Sequence, residues 1–208
     1  MLTLAIQRPK IATQAQREVR RLDREEVALI RACQQGSEEA FRGLVERYQR
    51  RTYWIAYNML GNYDLAADIS QEAFLRVYKA INRFDIQRNF YTWLYQIVVN
   101  LCIDHMRKES NGRPARLDDV AEPPDVDARP AGAGVESQEV REAVHRVLAK
   151  LAHNYKTVLV LRDLQGMTCE EIAEVVGANN ATVRWRLHIA RKMFKDAWEA
   201  AHPAKAEE

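Results

Sequence analysis

A segment of 28 residues near the middle of the chain constrains the fold more than any other feature. Residues 109–136 (ESNGRPARLDDVAEPPDVDARPAGAGVE) hold four of the six prolines, three glycines and an excess of acids, with hardly a large apolar side chain. Because such a segment cannot offset its ordering entropy by burial, we interpret it as a flexible linker. The 208-residue chain is therefore predicted to form two small domains, one on each side of it.

Hydrophobic periodicity predicts helices in the first half. Apolar residues recur at helical spacing from Phe41 to Leu60, behind a Ser37 that can cap the helix. A second helix begins at Asn62 or Tyr63, and its predicted buried stripe is Leu65, Ile69, Ala73, Val77 and Ile81. Residues 89–108 supply a third helix. No segment alternates with the two-residue period of a strand, so we predict an all-α fold.

The second half has the pattern of a helix-turn-helix. One helix is predicted over 140–151, and TVLVLRDL predicts a short buried helix that Gly166 ends. Thr168 with Glu171 three residues later is a capping box for the next helix, after which Gly177 permits a sharp turn. The last helix runs roughly from Ala181 to Ala200. A helix, a tight turn containing glycine and a basic helix are typical of DNA-binding domains.

One face of the last helix carries a binding signal. The stretch from Arg184 to Lys195 has five basic residues and no acid. Helical geometry puts six of its side chains opposite the core stripe: Arg184, Trp185, His188, Ile189, Lys192 and Lys195. A solvated basic face is the simpler interpretation, but Trp185 and Ile189 lie four residues apart among these cations and favour a partner surface. We predict major-groove DNA, because arginine pairs with guanine edges and apolar side chains contact thymine methyl groups.

The segment NFYTWLYQ, residues 89–96, has more aromatic rings than a buried helix needs. A spacing of four residues predicts that three apolar side chains are largely core: Trp93, Ile97 and Leu101. That leaves Phe90, Tyr91 and Tyr95 as exposed rings beside the polar loop NRFDIQRN. Rings next to basic side chains stack unpaired bases while the cations hold the phosphates, so we predict single-stranded DNA binding here.

An acidic stripe on the second helix has two interpretations. Asp64, Asp68 and Glu72 stand four residues apart, which suggests a metal site, but no histidine or loop joins them and we predict no metal. Gln71 and Leu75 lie within the same face. An exposed leucine surrounded by acids is typical of a protein docking surface.

Catalytic and membrane functions have little support in the sequence. The three cysteines, Cys33, Cys102 and Cys169, lack the spacing of a disulfide framework or a zinc site, which favours a cytosolic protein. Cys102 and His105 lie three residues apart but have no third group to orient them. No apolar run approaches the roughly 20 residues of a bilayer span. We expect a cytoplasmic protein that is not an enzyme, needs no cofactor and does not insert into a membrane.

Three segments resemble the two blocks of extracytoplasmic-function (group IV) sigma factors of the sigma-70 family. They are DISQEAFLRVYKAINRF, FYTWLYQIVVNLCIDHMRK and LRDLQGMTCEEIAEVVGANNATVRWRLHIARKMF. The resemblance implies an all-α fold of two small helical domains: a basic N-terminal extension over 1–24, a sigma-2-like bundle over 25–108, the linker over 109–136, a sigma-4-like helix-turn-helix domain over 137–200 and a tail over 201–208.

The resemblance implies a bacterial RNA polymerase sigma factor whose contacts carry over residue by residue. The acidic face would dock on the β′ clamp of core polymerase through Asp68, Gln71, Glu72 and Leu75. The next loop and helix would bind the opened minus-10 promoter element through Arg83, Phe84, Asp85, Gln87, Arg88, Asn89, Phe90, Tyr91, Trp93 and Asn100. The last domain would bind the minus-35 element through Arg162, Thr182, Arg184, Trp185, His188, Ile189 and Lys192. Further implied partners are the β flap and an anti-sigma factor.

Two positions of the last helix depart from the common form of the family, TVRSRLHRAR. Trp185 stands in place of a small polar residue and Ile189 in place of an arginine, which leaves thymine methyl groups or another protein as their partner. Two alternative functions also remain. One is a helix-turn-helix regulator that binds duplex DNA without polymerase, and the other is a metal-dependent helical enzyme that uses Asp64, Asp68 and Glu72.

Overall fold

The computed structural model describes residues 24–112 and 135–202, and all regular elements in these two ranges are helical. The α-helices are α1 Arg24–Gln34, α2 Glu38–Leu60, α3 Tyr63–Ala80, α4 Phe90–Gly112, α5 Val135–Ala149, α6 His153–Leu159, α7 Cys169–Val176 and α8 Asn180–Ala201. A 3-10 turn, Ile81–Arg83, follows α3, and a π-helical turn, Val160–Leu164, follows α6. The all-α prediction is confirmed for these ranges.

Side-chain caps set the boundaries of the helices in the first half. The Ser37 hydroxyl accepts a hydrogen bond from the backbone amide of Ala40, as the sequence predicted, and the first turn of α2 carries Glu38 and Glu39. Gly61 ends α2 in the left-handed conformation, with a φ of 73°, which only glycine adopts without strain. The Asn62 side chain then caps α3. Helices α2 and α3 therefore meet at a tight corner.

Helices α1 to α4 pack around one apolar core and hold the loop that follows α3. The Gln34 side chain, at the end of α1, donates hydrogen bonds to the carbonyl oxygens of Ile81 (3.1 Å) and Phe84 (2.8 Å). Between α2 and α3 the buried hydroxyl groups of Thr52 and Ser70 lie 2.8 Å apart and satisfy each other. The largest fully buried side chains of this half include Ile30, Leu44, Ile55, Met59, Phe90 and Leu94.

The second half forms the predicted helix-turn-helix from α7 and α8. Thr168 and Glu171 make the complete capping box, and Gly177 ends α7 in the left-handed conformation. Asn179 caps α8 through a 2.7 Å hydrogen bond from the amide of Thr182. The Arg191 guanidinium also bonds the Asp163 carboxylate, 2.9 Å from Nε to Oδ2, and so ties α8 to the π-helical turn.

The two halves pack directly against each other, which the sequence did not predict. Helix α7 lies against α4, and buried residues of both halves belong to one continuous core. Helix α4 continues to Gly112 and α5 begins at Val135, so both ends of the segment that was interpreted as a linker are helical. Residues 1–23, 113–134 and 203–208 lie outside the described residues. These ranges contain most of the predicted basic extension, the rest of the predicted linker and most of the predicted tail.

Candidate functional site

Helix α3 presents the predicted docking face to solvent. It buries Ile69, Ala73 and Val77 against the bundle, which turns Asp68, Gln71 and Leu75 outward. Leu75 is 51% exposed. The Glu72 carboxylate is partly buried and accepts a hydrogen bond from Arg76 at 2.9 Å, so one acid of the stripe is already paired. Within the described ranges no group of three histidine, cysteine, aspartate or glutamate side chains is arranged to hold a metal ion.

Beside this face a groove of about 480 Å³ lies between α2 and α3. Its walls are mostly apolar and carry charge at the rim; they are formed by Glu38, Phe41, Arg42, Val45, Gln71, Phe74, Leu75 and Tyr78. Tyr78 is 51% exposed and meets the ring of Phe41 edge to face, with 5.0 Å between centroids. Sequence analysis missed Tyr78, although its position three residues after Leu75 puts both on the same face. Apolar grooves of this kind bind the apolar face of an amphipathic helix.

The loop between α3 and α4 exposes most of the polar side chains predicted for the minus-10 element. The Asp85 carboxylate accepts a hydrogen bond from the amide of Gln87 at 2.9 Å, and this turn presents the rest of the loop to solvent. Asn100, further along α4, is exposed as well. The exposed members of the predicted set are Arg83, Asp85, Gln87, Arg88, Asn89 and Asn100.

The aromatic rings at the start of α4 require a correction. Phe90, Tyr91 and Tyr95 are buried, so the prediction that they are exposed is wrong. Phe84 is buried too. Trp93 is half-buried and stacks on the Phe84 ring, with 4.7 Å between ring centroids. These rings therefore support the polar loop from beneath instead of forming its outer surface.

Burial on two faces of α4 explains the error. One face packs against α2 and α3, as expected for a helix of the first bundle, and a second face packs against α7 of the other half. The hydroxyl of Tyr91 donates a hydrogen bond across this second contact to the carboxylate of Glu171 on α7. A helical wheel reveals that a helix has a wide apolar arc, but it does not reveal that a second domain covers the remainder.

Helix α8 displays the residues predicted for the minus-35 element along one outer face. Arg184, Trp185, His188 and Lys192 are exposed, and Thr182 and Ile189 are half-buried at its edges. The opposite face places Val183, Leu187 and Ala190 in the core. Capping by Asn179 keeps the first turn of α8 regular, so these side chains are presented from a rigid helix.

Two arginines of the predicted set already have partners within the chain. Arg184 lies 3.7 Å from the Glu170 carboxylate, but both side chains are about two-thirds exposed, so this ion pair is weak and exchangeable. Arg162 is half-buried, and its Nη1 donates a 2.6 Å hydrogen bond to the carbonyl oxygen of Met167. The Arg162 side chain thus stabilises the turn before α7.

Titratable groups are buried or half-buried where the two halves meet. The Lys156 ammonium donates a 3.0 Å hydrogen bond to the carbonyl oxygen of Met59 near the end of α2, and burial lowers the pKa of Lys156. Burial, with help from the Lys156 charge, lowers the pKa of His145 to about 4. The His145 ring lies 4.3 Å from the ring of Tyr57. Burial also raises the pKa of the Cys102 thiol to about 12, so this thiol is protonated at neutral pH and a poor nucleophile.

Comparison with known proteins identifies the family of this chain. Sigma-70 region 2 matches residues 44–112, and Sigma-70, region 4 matches residues 141–194. The chain is 33% identical over 186 residues to the ECF RNA polymerase sigma factor SigW of Bacillus subtilis (strain 168), across 80% of this chain and 92% of that protein. It is 32% identical over 179 residues to the ECF RNA polymerase sigma-E factor of Haemophilus influenzae, across 81% and 93% of the two chains.

Solved structures show the same fold. CnrH, in complex with the cytosolic domain of CnrY, has a TM-score of 0.66 at 23% identity, over 85% of this chain and 98% of that one. The sigma factor RpoE from Bartonella quintana, in complex with the anti-sigma factor NepR, has a TM-score of 0.62 at 18% identity, over 76% and 96% of the two chains. None of the described helices is long and apolar enough to cross a membrane. With both regions matched in order, and with relatives above 30% identical along nearly their whole length, the chain belongs to the extracytoplasmic-function sigma factors of the sigma-70 family.

Proposed function

We propose that this chain binds core RNA polymerase in the bacterial cytoplasm and directs it to promoters, acting by binding and not by catalysis. The observation that carries the proposal is the presence of two unlike surfaces on one chain. These are the acidic and apolar face of α3 with its groove, and the basic outer face of α8. A regulator that works without polymerase needs the second surface but not the first.

The α3 face would dock on the β′ clamp of core polymerase. Leu75 and Tyr78 are each half exposed and flank the groove, so a partner helix can bury both. Asp68 and the paired Glu72 would meet basic side chains around this apolar centre. Apolar anchors inside a polar rim are the usual arrangement of a protein interface.

The polar loop after α3 would hold the opened minus-10 element. Arg83 and Arg88 can neutralise phosphates, and the Asn89 amide can form hydrogen bonds with base edges. Asn100 is exposed further along α4, about three turns after Asn89. Phe90 is left out of this interface because its ring is fully buried in the first bundle.

The α8 face would enter the major groove of the minus-35 element, where Arg184 can exchange Glu170 for a base or phosphate.

The distance between the two promoter elements requires the halves to separate. Positions minus-10 and minus-35 are about 25 base pairs apart, which is about 85 Å along B-form DNA. Two halves packed into one compact body of about 160 residues have a radius of gyration of about 15 Å, which is too small to span this distance. Residues 113–134 can extend to at most about 75 Å, which with the two halves is enough to span the gap. Promoter binding would therefore separate α7 from α4.

An anti-sigma factor and the polymerase β flap would be further partners. RpoE from Bartonella quintana was solved in complex with the anti-sigma factor NepR. By family likeness we propose that a comparable inhibitor holds this chain away from polymerase. The β flap would contact the second half, α5 to α8.

Run-off transcription with bacterial core polymerase on a pool of genomic promoter fragments tests the proposal. The protein should produce transcripts from a small set of fragments, and Leu75→Asp should abolish them while leaving duplex binding intact. Val140→Asp is the matched control, because Val140 is 56% exposed on α5 of the other half, away from the groove. Duplex binding without any protein-dependent transcript would favour the regulator that acts without polymerase.

A further inference from the structure

Trp185 is the most exposed tryptophan of the chain. The other three, Trp54, Trp93 and Trp198, are half-buried and pack against neighbouring rings, whereas Trp185 is 57% exposed on the outer face of α8. Exposing so large an apolar surface is unfavourable unless a partner covers it. The neighbours of Trp185 on this face therefore identify what that partner is.

Tyr155, on α6, holds the indole of Trp185 in place. The two ring centroids are 6.2 Å apart and the planes are inclined by 54°. Tyr155 is itself half-buried and packs against the apolar core, so it is a fixed support. Contact with this support limits the rotamers of Trp185, which means that little side-chain entropy is lost when a ligand binds.

The surroundings of Trp185 favour DNA over a protein as the partner. Arg184, His188 and Lys192 share the exposed face with it, so the indole of Trp185 lies among two cationic side chains and an imidazole. Cations beside an exposed indole suit a polyanion. Among the base edges in the major groove only thymine offers an apolar group, its C5-methyl. Ile189, one turn further along α8, extends the apolar strip.

We propose that Trp185, positioned by Tyr155, reads thymine methyl groups in the upstream promoter element. This inference rests on the proposed function, because it requires α8 to enter the major groove. It adds the chemical group that is recognised and assigns Tyr155 as a positioning residue. Promoters of this protein should therefore carry at least one thymine opposite the amino-terminal half of α8.

Replacing thymine by deoxyuridine tests the proposal, since the replacement removes the methyl group and leaves the hydrogen-bonding edge unchanged. Holoenzyme would be titrated with a promoter found by run-off transcription, in which each upstream thymine is replaced in turn. At one or two positions the affinity should fall about fourfold, the value for one buried methyl-sized group. Trp185→Ser should weaken binding to the thymine promoter and abolish the thymine preference.

Three further variants separate recognition from folding. Trp198→Ser makes the same replacement near the other end of α8, where Trp198 stacks on Phe194, and should keep the thymine preference. Tyr155→Leu should reduce this preference although Trp185 is still present. Trp185→Phe keeps a ring and should retain part of the preference, which would show that a loss in Trp185→Ser does not arise from misfolding.

The outcomes distinguish this inference from the proposed function. Specific promoter binding that is indifferent to thymine or deoxyuridine would overturn the inference and leave the sigma factor function intact. A thymine preference that persists in Trp185→Ser would also overturn it, because another side chain must then read the methyl group. Loss of all promoter preference in the wild-type holoenzyme would contradict the proposed function itself.

Discussion

Single side chains decide which surfaces of this sigma factor are available for binding. Leu75 and Trp185 are large apolar residues that the fold leaves in solvent, and each lies among charged side chains that suit a different partner. Phe90 illustrates the opposite case. It lies next to the polar loop in sequence, but its ring is completely buried and supports the loop from within. Adjacency in the chain is therefore a poor guide to exposure in a helix.

At this scale, replacing Arg184 by alanine should weaken binding to the minus-35 element. If Arg184 contacts a base edge, the loss should be about 1 to 3 kcal/mol on the cognate duplex and much smaller on unrelated duplexes. Fluorescence anisotropy at fixed salt would measure both. Lys195→Ala is the control, since it removes another exposed positive charge from the same helix. The Lys195 ammonium lies 3.7 Å from the Glu199 carboxylate. An equal loss on every duplex would make Arg184 a phosphate contact.

At the scale of elements, caps and turns fix the helix-turn-helix before any partner binds. Helix α7 has only eight residues, too few to be stable alone, and the Thr168–Glu171 capping box satisfies two of its free amide groups. Glu171 also accepts the hydrogen bond from Tyr91, so the same carboxylate serves the cap and the contact between the halves.

Removing this cap should destabilise the protein. Thr168→Ala should lower the free energy of unfolding by about 1 kcal/mol, because one amide of α7 loses its acceptor. Urea unfolding followed by circular dichroism would measure it. Thr182→Ala is the matched control, because Asn179 supplies the cap of α8 and Thr182 contributes only its backbone amide. A loss in the control as large as in Thr168→Ala would argue against the capping explanation.

At the scale of the whole molecule, the contact between the halves defines a closed state. Lys156 and Tyr57 are buried there and His145 is half-buried against the Tyr57 ring. The negative charge of Glu142 helps to raise the pKa of Tyr57. The pKa of His145 is lowered to about 4 from an ordinary 6.5, so the closed state holds His145 neutral. Protonation of His145 must therefore favour separation of the halves.

Acidification should open the molecule. The contribution of His145 to the closed state is fully present above about pH 6.5 and is lost as the pH falls towards about 4. Energy transfer between dyes at the exposed positions Gln35 and Glu199 should decrease over this range. In His145→Gln the signal should change much less between pH 6.5 and 5, where few carboxylates titrate. An identical pH profile in both proteins would exclude His145 as the titrating group.

The sequence by itself determined the local structure, because caps, turns and hydrophobic periodicity act between residues that are close in the chain. Ser37, the Thr168–Glu171 capping box and Gly177 were identified in this way, as was the outer face of α8. Only the tertiary structure decided how the two halves meet. That contact joins residues such as Met59 and Lys156, which are far apart in the chain and follow no local period. It covers a second face of α4, on which Tyr91 bonds Glu171, and it therefore removes that face from the surface that remains to bind a partner.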